Sequence, residues 1–225
     1  MSASTVMIVA GEASGDAHGA KLVRAMQAQR PDLSFIGIGG AQLRAAGVAV
    51  HIDAHTLSVV GITEVVTKLP QLLGAAREAK RLMAARGPEL LILIDFPDFN
   101  LHLAAHAKRL GIPVLYFISP QIWAWRPGRV RKIKRLVDHM AVILPFEERF
   151  YHAHGVPVTY VGHPLLDGLG GALDTTAEQG PPLDRPPVIS LLPGSRDREV
   201  EMLLPELLGA AERLQGQHPE ACFLV

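Results

Sequence analysis

Hydrophobic residues along this chain fall in short, nearly continuous runs, separated by stretches in which they recur every three or four positions. The runs Thr5–Ala10, Phe35–Ile38, Leu90–Ile94, Val114–Ile118, Met140–Leu144 and Val158–Val161 have the length of strands and are rich in Val, Ile and Leu. Unbroken apolar runs of this kind mark strands buried on both faces, as in a parallel sheet. The periodic stretches between them predict helices over about 16–29, 64–86, 100–110, 128–138 and 146–154. Strand and helix alternate, so the pattern predicts βαβ units and an α/β fold around a parallel sheet. Most strands run into Gly, Asp, Ser or Pro, and in open α/β sheets those carboxyl ends face the ligand crevice.

The pattern changes after Gly162. The segment HPLLDGLGGALDTTAEQGPPLDRPP is rich in Gly, Pro and Asp, has little periodicity, and reads as a linker over 164–187. Beyond it, VISLLPGSRDREVEMLLPELLGAAERL repeats the opening order of strand, glycine-containing turn and helix, and 221–225 reads as another strand. Residues 1–163 are thus expected to form one Rossmann-like domain, and 188–225 the incomplete start of a second. An apolar final strand needs a hydrogen-bonding partner, so a second domain begun and not finished is the expectation.

Composition narrows the function classes. Of 225 residues, 48% are hydrophobic and 20% charged, which suits a globular protein and not a disordered one. With 22 basic and 22 acidic side chains the formal net charge is zero, which speaks against nucleic-acid binding through bulk charge. Cys222 stands alone, which excludes an internal disulfide and fits a reducing compartment. The opening MSASTVMIVAGEASGD lacks a basic stretch before a long apolar run, so it is not a signal peptide. No window approaches the ~20 apolar residues of a spanning helix. The chain is expected to be soluble, or to rest on a membrane surface.

Two turns carry candidate chemistry. In AGEASGDAHGA, Gly11 and Gly15 allow a tight strand-to-helix reversal, and Ser14 or Asp16 can cap the helix. The stretch is neither a G-x-G-x-x-G fingerprint nor a P-loop. Glu12 and Asp16 would repel a phosphate and suit sugar hydroxyls better; a capped turn without a ligand is equally consistent. In ILIDFPDFN, Asp95 ends a buried strand, where desolvation tends to raise a carboxyl's pKa and suits it to act as general base or acid. A carboxylate hydrogen-bonded to loop amides is the plainer reading. Asp98 reads as the N-cap of the next helix, and Asn100 could cap as well.

The stretch SPQIWAWRPGRVRKIKRLVD sets both tryptophans, Trp123 and Trp125, beside Arg126, Arg129, Arg131, Lys132, Lys134 and Arg135. On a helix Val130, Ile133, Leu136, Val137 and Met140 share one face, with Arg131, Lys132, Lys134 and Arg135 on the other. This pattern fits a solvated amphipathic helix, an interface with lipid head groups or an acylated sugar, or RNA held by stacking. In LLPGSRDREV, Gly194 and Ser195 form a turn before a helix, Arg196 can grip a diphosphate, and Glu199 can complete a capping box on Ser195. The pair His102 and His106 has i,i+4 spacing without the Glu of a zinc protease and reads as a surface pair. His18 is expected near the first turn and His163 near a cleft; no nucleophilic triad is visible.

Taken together and in order, GEASGDAHGA, LSVVGITEVV, IDFPDFN, SPQIWAWRPGRVRKIKR, LPFEERFY, VGHPLLD and LLPGSR resemble the lipid-A-disaccharide synthase family across essentially the whole chain. The resemblance implies an inverting glycosyltransferase with two Rossmann-like domains of GT-B type and no metal or other cofactor. It implies transfer from UDP-2,3-diacylglucosamine to 2,3-diacylglucosamine 1-phosphate with release of UDP. The position of Asp95 matches the family's catalytic base. Ser14, Gly15, Asp16, Asn100, Ser119, Trp125 and Arg129 are the implied substrate-binding residues, and Ser195 and Arg196 the donor-phosphate residues. Trp123, Arg126, Arg131, Lys132 and Arg135 are the implied membrane or lipid contacts. The expected setting is the cytoplasm, at the inner face of the cytoplasmic membrane, with no nucleic acid and with a homodimer for the full-length form. The family's donor pocket belongs largely to the second domain, so the chain as it stands is expected to be inactive. The rival readings are another GT-B enzyme, such as an epimerase of a UDP-amino sugar, and a non-catalytic module for anionic lipid or a partner protein.

Overall fold

The structure, a computed structural model, describes residues 4–57, 62–168, 186–194 and 197–225, without the side chains at 56, 62–68, 168 and 197. Residues 58–61 of the LSVVGITEVV motif, most of the expected linker, and Ser195 and Arg196 therefore lie outside the described residues. The chain divides into two compact units, Met1–Gly168 and Leu169–Val225.

The first unit is a seven-stranded parallel sheet. Its strands are β1 (Thr5–Ala10), β2 (Ser34–Gly39), β3 (Ala49–Asp53), β4 (Leu90–Ile94), β5 (Val114–Phe117), β6 (His139–Val142) and β7 (Val158–Tyr160). They lie in the order β3-β2-β1-β4-β5-β6-β7, and every pairing is parallel. The helices are α1 (Ala13–Gln29), α2 (Ala41–Ala45), α3 (Ile62–Arg86), α4 (Pro97–Arg109), α5 (Ile122–Trp125), α6 (Val130–Leu136) and α7 (Pro145–Ala153). The strand order reverses between β1 and β4, so the turns after these two strands open the crevice that doubly wound sheets use for ligands.

Period-two alternation along each central strand explains the unbroken apolar runs. Met7, Val9, Leu91 and Leu93 point into one core with residues of α3 and α4. Val6, Ile8, Ala10, Ile92 and Ile94 point into the other, against Ala20, Val23 and Leu43 of α1 and α2. Both faces are covered, so no buried position in β1 or β4 can be polar without losing its hydration; the one polar residue, Thr5, sits half-buried at the strand's start.

Sequence periodicity missed α2 and β3. Helix α2 has five residues, and β3 is an edge strand with His51 and Asp53 among only five positions, too short and polar for either pattern. The expected helix 128–138 is instead a 3-10 turn, Pro127–Arg129, followed by α6, and Met140 belongs to β6. The N-cap of α4 is Phe96, with Asp98 inside its first turn.

Asp16 also departs from expectation. The N-cap of α1 is Glu12, with no side-chain capping bond, and Asp16 sits inside the helix. Its buried carboxylate accepts from the N–H groups of Gly40 (2.6 Å), Gln42 (2.9 Å) and Leu43 (3.2 Å), so it caps α2 from the neighbouring helix on the same face of the sheet. Gly40 is required by that approach, because a Cβ there would stand 2.7 Å from the Asp16 carboxylate.

The second unit holds a βαβ element: β8 (Val188–Ser190), α8 (Asp197–Gln217) and β9 (Cys222–Leu224), with β8 and β9 parallel. The run expected as a strand at 221–225 thus pairs with β8.

Removing the Asp16 carboxylate strands three amides. Asp16→Ala is expected to destabilise the first unit by about 2 kcal/mol, the upper range for a lost cap. It should do so with an unchanged denaturant m-value in urea unfolding.

Candidate functional site

At the end of β4 the backbone does something its residues do not favour. Asp95 (φ 45°) and Phe96 (φ 46°) both adopt left-handed conformations, as does Ile118 (φ 64°) at the end of β5. For residues with a Cβ such geometry costs on the order of 1–3 kcal/mol each and persists only when the surroundings impose it. Here the Asp95 carbonyl accepts from the Tyr116 hydroxyl (2.5 Å) and from Asn100 Nδ2 (2.6 Å), which also donates to Ile94 O (3.0 Å). Burial pushes the Tyr116 hydroxyl well above its ordinary 10, so it remains a donor at any relevant pH. Gly11, at the end of β1, leaves room for the Phe96 ring; a Cβ there would lie 2.6 Å from Phe96 Cδ1.

The distorted turns line a pocket of about 360 Å³ at the carboxyl ends of β4, β5 and β6. Asp95 lies on one side; Ser119, Gln121, Trp125, Arg126, Arg129 and Glu147 complete the polar and aromatic lining. Trp125 is 81% exposed and stands at the rim. Arg129 Nη2 donates to Asp98 Oδ1 (2.6 Å), which ties the 3-10 turn to α4. A carboxylate facing two guanidinium groups and an indole suits a phosphorylated sugar, since the acid can accept from a hydroxyl and the cations can meet the phosphate. Pro97 also forms part of a second, largely apolar pocket of about 440 Å³ lined by Leu69, Leu72, Leu73, Phe96 and Phe99.

Five expected residues, Asp95, Ser119, Trp125, Arg126 and Arg129, thus meet in one pocket. Others are placed differently. Asn100 is fully buried and its amide serves the β4 turn, a supporting role in place of ligand contact. Gly15 packs against Ile94 and Ala10, Ser14 is exposed on α1, and neither lines the pocket; Asp16 is spent on α2. Trp123 is half-buried: its N–H donates to Glu147 Oε1 (3.2 Å), and its ring meets Phe146 edge-on at 4.8 Å. Arg131, Lys132 and Arg135 are exposed on α6. The His18 ring has its pKa lowered by burial and then by Lys21 and His163, while Lys21 Nζ donates to Pro164 O (3.1 Å). His102 lies 2.6 Å from Lys80 Nζ, consistent with a surface pair.

Sequence reasoning passed over Glu147. It is 1% exposed, accepts also from the Leu144 N–H (3.2 Å), and adjoins Ser119, whose hydroxyl oxygen is 2.6 Å from Tyr151 OH. The only signal was Glu at the third position of α7, half of a capping box, unaccompanied by Ser or Thr at the N-cap because Leu144 stands there. Burial pushes the Tyr151 hydroxyl up to about 12.

Burial likewise raises the Glu147 carboxyl above its ordinary 4.5, outweighing the donors around it. The native state therefore keeps this proton at a pH where the unfolded chain has released it. The group's contribution to stability is fully present below about 4.5 and is lost as pH rises through the raised native value. Glu147→Gln is expected to flatten that fall, measured as the pH slope of the urea unfolding free energy upward from the ordinary glutamate value.

Comparison with known proteins now adds descent to geometry. The chain is 50% identical over 217 residues to the lipid-A-disaccharide synthase of Myxococcus xanthus, covering 95% of this chain and 56% of that protein. It is 52% identical over 216 residues to that of Syntrophus aciditrophicus, again covering 95% and 56%. The chain therefore spans somewhat over half the length of these relatives. In fold it resembles a UDP-GlcNAc 2-epimerase from Neisseria meningitidis solved with UDP-GlcNAc (TM-score 0.61, 13% identity, 97% of this chain and 64% of that one). It resembles S. aureus MnaA solved with UDP to the same degree (TM-score 0.61, 13% identity, 98% and 60%). The family model described as lipid-A-disaccharide synthetase matches residues 6–225, and the chain belongs to that family.

Proposed function

We propose that this chain is the acceptor-binding, base-carrying part of a glycosyltransferase that joins UDP-2,3-diacylglucosamine to 2,3-diacylglucosamine 1-phosphate and releases UDP. The observation that carries the reading is the placement of Asp95 in one pocket with Arg126, Arg129 and Trp125, next to a mostly apolar pocket that shares Pro97. A phosphorylated sugar with acyl chains needs those two surfaces side by side. Arg126 and Arg129 meet the 1-phosphate, Trp125 lies along the sugar, and the apolar pocket takes an acyl chain. Asp95 accepts the proton of the acceptor's 6′-hydroxyl as that oxygen bonds to the donor's anomeric carbon. The bond from that carbon to UDP breaks on the opposite face, so the configuration inverts. Ser195 and Arg196 are assigned to the departing diphosphate, together with helix N-terminal amides of the second unit.

The exposed cations of α6, with Trp125 at the rim, are assigned to an anionic membrane surface, where such substrates reside. No described helix is long and apolar enough to cross a membrane. Each basic residue near an anionic surface adds about 1 kcal/mol of attraction, so a small cluster acts without net charge on the whole chain. Homodimerisation of the full-length form and its cytoplasmic setting belong to the same proposal.

Two measurements test the reading. Asp95→Asn, in a full-length enzyme carrying this segment, is expected to lower kcat by roughly 10²–10⁴-fold, the usual worth of a general base. A loss within about tenfold removes Asp95 from that role, and a chain active on UDP-amino sugars without acyl groups favours the epimerase-like alternative. Joint neutralisation of Arg131, Lys132 and Arg135 is expected to lower co-sedimentation with anionic liposomes by at least about tenfold at low salt, with no change on neutral liposomes. Unchanged co-sedimentation removes α6 from the membrane contact.

A further inference from the structure

The wall of the pocket between Ser119 and Arg129 contains only a four-residue helix, α5, and one 3-10 turn. Single turns do not hold their shape in water, so tertiary contacts must set where Trp125 and Arg126 stand. Ile122 is buried in the core, Ser119 Oγ lies 2.6 Å from Tyr151 OH, and two further polar contacts are made by the Arg129 and Trp123 side chains. One is the Arg129–Asp98 ion pair, in which the Asp98 side chain is 79% exposed. Exposed ion pairs contribute little, and salt screens them. The other is the Trp123–Glu147 bond, whose carboxylate is 1% exposed and whose indole is also seated on Phe146. A buried carboxylate that loses a donor is left uncompensated, so this second contact is the one that resists displacement.

Glu147 lines the pocket, yet its oxygens are directed at N–H donors: Oε1 at the Trp123 indole and Oε2 at Leu144 N. These two N–H contacts leave Glu147 acting on the pocket through its neighbours. The arrangement joins the α5 turn to the first turn of α7, two segments that line the same pocket.

We propose that Glu147 is a positioning residue: by holding Trp123 it fixes the Ile122–Arg126 turn, so that Trp125 and Arg126 stand where the phosphorylated sugar binds. The identity of that ligand rests on the transferase reading; the positioning itself does not.

The test uses three variants of the 225-residue chain: Trp123→Phe, Glu147→Gln and the double variant. Trp123→Phe keeps a ring against Phe146 and removes the indole N–H, so it reports on the contact even where Glu147→Gln does not fold. Both single variants are expected to shift the Trp125 indole ¹⁵N–¹H resonance in the same direction, and the double variant to shift it no further. Titration with 2,3-diacylglucosamine 1-phosphate in detergent, followed on the same resonance, is expected to give about tenfold weaker binding in each variant and no further weakening in the double. In a full-length transferase carrying these changes, the acceptor KM should rise about tenfold, with the donor KM and the pH profile of kcat unchanged. A role in folding alone would lower the melting temperature and leave acceptor affinity untouched well below it. The proposal is overturned by a Trp125 resonance that stays in place in Trp123→Phe, by losses that multiply in the double variant, or by a fall in kcat at constant acceptor KM. Absence of acceptor binding to the parent chain counts against the transferase reading, while the resonance shifts still decide the role of Glu147.

Discussion

The carbonyl oxygen of Asp95 is the point on which the rest of the site depends. A strand that ends in two successive left-handed, non-glycine residues cannot hold itself, since each Cβ crowds its own backbone there. Tyr116, from the neighbouring strand, and Asn100, from the following helix, both donate to that oxygen. The constraint is mutual, because a buried phenol and a buried amide need an acceptor as much as the carbonyl needs donors. With the turn locked, α4 can begin at Pro97 immediately after it, and the Asp95 side chain is left on the pocket wall. Tyr116 and Asn100, which lock this turn, do not themselves line the pocket.

The two tryptophans show how neighbouring identical side chains are given opposite tasks. Trp123 is consumed by Glu147 and Phe146, and its amphipathic ring seals the base of a short helix against α7. Two residues later Trp125 points to solvent at the pocket rim, beside Arg126. A half-turn of helix between them is enough to set one ring against α7 and the other toward solvent. The dense positive charge that follows has a local meaning in a chain of zero net charge: it concentrates attraction at one face of α6, next to the pocket, where screening leaves only short-range effects.

Much of the fold was legible because burial on both faces of a parallel sheet forces long apolar runs. Strands β1 and β4 begin and end where their hydrophobic runs do. Helix starts were less legible. Phe96 caps α4 in a left-handed conformation without offering a side-chain oxygen, so the usual Asp or Asn signal pointed at Asp98 and Asn100, which have other partners. The short elements α2 and β3 carried too few positions to show a period at all.

The sequence by itself determined the α/β class, the alternation of units and the family, and it singled out Asp95 as the expected base. These follow from periodicity and ordered motifs, which are properties of neighbours along the chain. Only the tertiary structure decided which polar residues are structural: Asp16 caps a helix 24 residues away, Asn100 braces a turn, and Glu147 holds an indole. A carboxylate or amide looks the same in a sequence whether its donors come from a ligand or from a distant backbone. The difference lies in which groups the fold brings within hydrogen-bonding distance of it, and that is set by how elements pack rather than by their order along the chain.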